Sequence, residues 1–143
     1  SNLAADSYYM RDRSGYGIRP HTQSLRTVVV GMLYLPRDHS ISGSGTAILR
    51  PKDPSKRCLG IGNPLYPYDE CEGETELEFK PNSFMAFVKT PTSWHSLPAL
   101  PELPYDRNTL TVSAINPARL ADSSYKERLF KGETLAMNWS NGL

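Results

Sequence analysis

Apolar and polar positions alternate over short stretches of this chain, and turn residues cut one stretch from the next. Runs rich in Val, Ile, Thr, Phe and Tyr recur near residues 7–11, 16–22, 26–35, 45–50, 75–80, 83–89, 93–97 and 107–115. Successive side chains of a strand point to opposite faces, so period-two alternation of β-branched and aromatic residues predicts strands. The twelve prolines and ten glycines mark the joints, because neither residue suits the interior of a paired strand. Eight short strands with turn-rich joints predict a mainly β fold, as a sandwich, jelly roll or small barrel. No long helical pattern alternates with them, which argues against a parallel α/β sheet. The one helical signal lies in the tail, 118–143. Ser124 and Glu127 have capping-box spacing and Gly132 is a natural stop. A short helix there would lay Tyr125 and Leu129 on the outside of the β core.

Strand parity adds detail. In "RNTLTVS", Arg107, Thr109, Thr111 and Ser113 share one face, while Leu110, Val112 and Ala114 share the other. The apolar face is expected to pack on something. The polar face would meet solvent on a plain sandwich, or the interior on a barrel that encloses a ligand pocket. Tyr34 shares a face with Val28, Val30 and Met32, which sets its hydroxyl at the end of an apolar-lined cavity. In "GYGIRPHTQS", His21 and Gln23 stand at i and i+2, so an extended strand aims both the same way.

At 143 residues the chain suits one domain with a sizeable core. The formal net charge is +1, and Lys and Arg are scattered rather than gathered into a stripe, which argues against an electrostatic nucleic-acid binder. No apolar run approaches the ~18 residues of a membrane span. "SNLAADSYYM" lacks a signal-peptide pattern, and the expected location is cytoplasmic. Cys58 and Cys71 flank a Gly/Pro/Tyr loop; their spacing rules out C-x-x-C chemistry and leaves a disulfide and two free thiols both open. Asn138-Trp-Ser140 is a glycosylation sequon, relevant only to a secreted chain. The stretches 51–74 and 97–106 read as long loops, the usual carriers of function on a β scaffold.

Two groups on one strand face can grip a metal, and His95 in "PTSWHSLP" is the candidate third ligand. Two histidines with one carboxylate, leaving positions open opposite, form the facial triad of non-haem Fe(II) oxygenases. Arg107 can hold a distal carboxylate through paired hydrogen bonds, and Thr109 and Tyr34 can add hydroxyls.

The ordered set "GYGI-x-PHT-x-S…LYLP…GSGTAILRP…F-K-PNSFMAF…SWHS…RNTLTVSAINP" resembles the Fe(II)/2-oxoglutarate-dependent oxygenase superfamily over residues 8–117. The resemblance implies a single domain built as a double-stranded β-helix, a jelly-roll or cupin-like barrel. It also implies a metal held by His21, Gln23 and His95, and 2-oxoglutarate held by Arg107, Thr109 and Tyr34. The implied activity is C–H hydroxylation of a small molecule or side chain, coupled to decarboxylation of 2-oxoglutarate to succinate, with ascorbate as a reductant. No nucleic-acid or membrane partner is implied. Family members carry further N-terminal helices and strands. A minimal member, a fragment and one piece of a cut chain all fit the span seen here.

The chain departs from the family at Gln23, where the motif has an acid. An amide offers the metal a neutral oxygen and no charge, so affinity should fall. Gln is too large for the halide space of the halogenating members. Three readings follow: an oxygenase with weak or no ligation by Gln23, an acid supplied by Asp38 of "PRDHS", or an altered site in a barrel kept for binding or assembly. A cupin-type metal enzyme without a keto acid is a further class. Tyr66, Tyr68 and the acidic residues over 69–74 are candidates for the substrate mouth.

Overall fold

The computed structural model describes residues 3–58, 60 and 65–120. Eight strands follow one another: β1 (Ala4–Asp12), β2 (Ile18–His21), β3 (Thr27–Tyr34), β4 (Ala47–Pro51), β5 (Cys71–Glu76), β6 (Phe84–Val88), β7 (His95–Leu97) and β8 (Arg107–Ile115). Single 3-10 turns span Tyr68–Glu70 and Pro117–Leu120. Each strand overlaps a run expected from alternation. The largest shift is β5, which starts at Cys71 inside the expected loop. Its outward residues are acidic rather than apolar, and Arg50 of β4 reaches Glu72 at 3.2 Å and Glu74 at 3.7 Å across the ladder. Charge pairing there replaces the apolar alternation that marks the other strands. The helix expected around Ser124–Gly132 lies outside the described residues.

The strands form two four-stranded antiparallel sheets, ordered β1-β8-β3-β6 and β2-β7-β4-β5. The pairings are nested: first strand with last, second with seventh, third with sixth, fourth with fifth. The chain therefore folds back on itself about its midpoint. β3 then joins the outer pairs to make one sheet, and β4 joins β7 in the other.

The polar face of β8 turns inward. Arg107, Thr109, Thr111 and Ser113 are all buried, whereas Leu110 and Val112 are 36% and 46% exposed. This corrects the expectation that the apolar face packs. Leu110 and Val112 lie on the outside among the described residues, on the same sheet as exposed Phe84 and Val88 of β6. β3 supplies the apolar share of the interior, with Val28, Val30 and Tyr34 buried as parity predicts. A small cluster of Tyr34, Ile41 and Phe79 closes one side, the Tyr34 and Phe79 rings 4.8 Å apart. Gly45 enters β4 there, and a Cβ on it would lie 1.4 Å from the Leu77 carbonyl oxygen, so only glycine allows this backbone crossing.

Both cysteines are free thiols. Cys58 is buried, with its amide donating to the Pro91 carbonyl, while Cys71 pairs with Pro51 at the mouth of the β4–β5 ladder. No helix among the described residues is long and apolar enough to cross a membrane.

Candidate functional site

Pairing of β2 with β7 sets His21 opposite His95. Their ring centroids are 4.3 Å apart. Each ring is fixed by its own backbone: His21 Nδ1 lies 2.9 Å from the Arg19 carbonyl oxygen, and His95 Nδ1 2.9 Å from that of Ser93. A carbonyl only accepts, so each Nδ1 carries the proton and each Nε2 keeps its lone pair. Metal-binding histidines are oriented in this way. Burial drives the same choice. It holds His95 down at about 3, helped by the neighbouring His21, and it lowers His21 as well. Both imidazoles are neutral bases at physiological pH.

Gln23 reaches the pair by a route that strand parity misses. β2 ends at His21, and Gln23 adopts a left-handed backbone with φ 74°. This corrects the expected extended H-x-Q strand. A non-glycine residue in that region costs on the order of 1 kcal/mol, so neighbouring structure must hold it. Gly60 packs against the Gln23 carbonyl so closely that a Cβ on Gly60 would lie 1.9 Å from that oxygen. Thr22 is fully buried; its hydroxyl donates to the Cys58 carbonyl at 2.8 Å and accepts from Lys89 Nζ at 2.6 Å. The bend carries the Gln23 amide nitrogen to 3.2 Å from His95 Nε2. With the His95 proton on Nδ1, Gln23 is the donor in that contact.

One cavity of about 60 Å³ is lined by His21, Gln23 and His95 together with Asp12, Arg107 and Thr109. The sequence-predicted ligands thus meet in one place, apart from Tyr34. That residue lies behind the wall, donating its hydroxyl to Thr46 Oγ1 at 2.7 Å, and it is Thr46 that lines the cavity. Arg107 is packed over Phe79, 4.6 Å from the ring centroid. Its Nε donates to the Ser44 carbonyl and its Nη1 to Asp12, both at 2.7 Å. The Asp12 and Arg107 side chains are only 4% and 3% exposed. Burial raises the Asp12 carboxyl above the ordinary range even against the pull of the guanidinium. Thr109 and Ser96 are also in the lining, and their hydroxyls are buried without a hydrogen-bond partner. Buried hydroxyls are nearly always satisfied, so these two, like Thr111 Oγ1, are exceptions in the interior behind the cavity wall.

Among the described residues no three His, Cys, Asp or Glu side chains converge as a metal cluster. The site has two histidines and an amide. Asp38 does not supply the missing acid: its carboxylate accepts from the Ser40 amide and the Tyr105 hydroxyl, and it is absent from the cavity lining. The expected mouth residues have structural partners. Tyr68 donates to the Ile18 and Leu97 carbonyls, at 3.1 Å each, across the ends of β2 and β7. Tyr66 stacks 5.2 Å from Trp94 and donates to Glu70, which pushes its phenol up to about 12.

Sequence reasoning passed over Asp12, Ser96, Thr22 and Lys89. Parity along β1 puts Asp12 in step with Tyr8 and Met10, which also line the cavity, but nothing in the sequence pairs it with Arg107. Compared with models of known families and with curated proteins, the chain matches none.

Proposed function

We propose that the chain is an Fe(II)- and 2-oxo-acid-dependent oxygenase of the 2-oxoglutarate type, built in a jelly-roll barrel. The nested pairing of eight strands in two sheets supports the barrel. The observation that carries the function is the His21–His95 pair, with both Nδ1 protons held by carbonyls and both rings on the same cavity as Arg107 and Thr109. The donor set fits a divalent metal through two neutral imidazoles, with the Gln23 amide able to turn its oxygen inward. Iron in that place would supply oxygen activation and the decarboxylation of a 2-oxo acid.

The residues have separable tasks. His21 and His95 hold the metal and need no proton removed first. Thr109 and Arg107 line the cavity beside the imidazoles. Met10, Met32 and Ile18 line the rest and limit water. A substrate C–H group would have to reach the same cavity, which sets its oxidation close to the imidazoles. The test is metal analysis and isothermal titration with Fe(II), followed by assay of 2-oxo-acid decarboxylation with 2-oxoglutarate and with 2-oxobutyrate. Metal binding that requires His21 and His95, with keto-acid turnover, supports the reading; a protein that binds no divalent metal sinks it.

A second reading has its own support. Gln23 already donates to His95, and Asp12 already neutralises Arg107, so these two groups have partners without a ligand. That suits a metal-impaired barrel used for binding or assembly. It expects His21→Ala and Arg107→Ala to leave a partner interaction intact.

A further inference from the structure

Asp12 occupies the position from which an anion would meet Arg107. It lies directly opposite Arg107 in the β1–β8 ladder, and its carboxylate is 2.7 Å from Nη1. Arg107 Nε is engaged with the Ser44 carbonyl, and the Phe79 ring lies under the guanidinium. The arginine is therefore neutralised and held on several sides before any ligand arrives. A second carboxylate brought to this buried pair would give two anions to one cation, in a site with little water to screen them.

We infer that Asp12 determines cosubstrate selectivity, so that the site takes a small 2-oxo acid with an uncharged tail in place of a dicarboxylate. This rests on the metal-site reading given above. The head of such an acid, a carboxylate beside a ketone, belongs with the metal. Its tail meets an ion pair of zero net charge and the apolar Met10, Met32 and Leu97 side chains. A methyl or ethyl tail is accommodated there without a charge to compensate. Asp12 thus does the neutralising that a distal carboxylate would otherwise do.

The experiment is isothermal titration of pyruvate, 2-oxobutyrate and 2-oxoglutarate into the protein loaded with Mn(II), a redox-silent probe, with melting temperature as a second readout. The wild type is expected to bind 2-oxobutyrate at least about tenfold more tightly than 2-oxoglutarate. Asp12→Asn keeps an oxygen for Arg107 and removes the charge. It is expected to melt lower, to reverse the preference, and to regain melting temperature with 2-oxoglutarate more than the wild type does. Equal or tighter binding of 2-oxoglutarate by the wild type overturns the inference and leaves the metal-site reading standing. A wild-type preference for 2-oxobutyrate that Asp12→Asn does not change overturns the role of Asp12. Absence of any 2-oxo-acid binding in both proteins overturns the inference together with the reading beneath it. Should Asp12→Asn not fold, the wild-type ranking of the three acids decides.

Discussion

His21 and His95 face each other across the β2–β7 ladder with ring centroids 4.3 Å apart, and each gives its Nδ1 proton to the main-chain carbonyl two residues before it. Two imidazoles at this separation, uncharged and pre-oriented, lose little entropy on gripping a metal. Replacing either by Ala should lower affinity for Mn(II) or Fe(II) by at least about 10–100-fold, since changes merely behind metal ligands cost that much. His39→Ala is the control, because His39 is exposed and remote from the cavity lining. Titration of the three variants checks it, and equal affinities in all three would refute it.

Gln23→Asp restores a negative charge beside the imidazoles at the tip of the bend. A charged oxygen next to a dication is worth more than an amide oxygen, so metal affinity should rise by about tenfold or more. The same change removes the donor to His95 Nε2 and adds a buried charge, so the metal-free protein should melt lower. The combination of tighter metal binding and a lower metal-free melting temperature is the signature to look for. Affinity equal to the wild type would show that residue 23 does not touch the metal.

His95 also makes stability depend on pH. Its folded value is about 3 against an ordinary 6.5, with burial as the main cause. Between those values the unfolded chain binds a proton that the native protein refuses, so stability rises with pH across the window and is lost as pH falls through it. Urea midpoints measured from about pH 7 to about pH 4 should decline, and His95→Gln should flatten the decline. A wild-type curve as flat as that of the variant would contradict the neutral, buried imidazole.

Lys89 anchors the bend from below. Its buried ammonium donates to Thr22 Oγ1, the Cys58 carbonyl and the Thr90 carbonyl at 2.6, 3.0 and 3.1 Å. Burial brings it down to about 8 from 10.5. The unfolded chain is the more protonated state between those values, so stability should rise as pH climbs from about 8 towards 10.5. Lys89→Met keeps the volume but removes three donated hydrogen bonds, and should destabilise the fold by about 1–3 kcal/mol. Because Thr22 lies between His21 and Gln23, the variant should also weaken Mn(II) binding. Denaturant unfolding and titration read the two effects separately.

Gly45→Ala should be among the most damaging single changes in the chain. The added Cβ falls 1.4 Å from the Leu77 carbonyl oxygen, which is backbone and cannot swing aside. Overpacking of this kind costs about 1–3 kcal/mol or more, and loss of the folded signal at ambient temperature is the expected extreme. A variant as stable as the wild type would mean that the two backbone segments do not cross so closely.

The strands were legible because alternation and turn residues act locally. Val28, Val30 and Tyr34 follow parity into the interior without help from distant residues. Parity failed where the rest of the fold reversed the usual sense of inside and outside. Leu110 and Val112 look like core, and parity leaves Thr109 and Thr111 open between surface and interior; the hydroxyls are the buried set. Gln23 was legible as a partner of His21, but its left-handed bend rests on Gly60, Cys58 and Lys89, which no local pattern connects to it.

The amino-acid sequence by itself determined a mainly β chain of short strands and the side-chain types at His21, His95 and Arg107, because side-chain type and period are local properties. Only the tertiary structure decided what those groups meet. Pairing of β1 with β8 brings Asp12 to Arg107 across 95 positions of chain, and pairing of β2 with β7 turns two separate histidines into one site. Long-range register is set by packing of the whole molecule, and it is register that selects whether Arg107 meets a ligand or a carboxylate of its own chain.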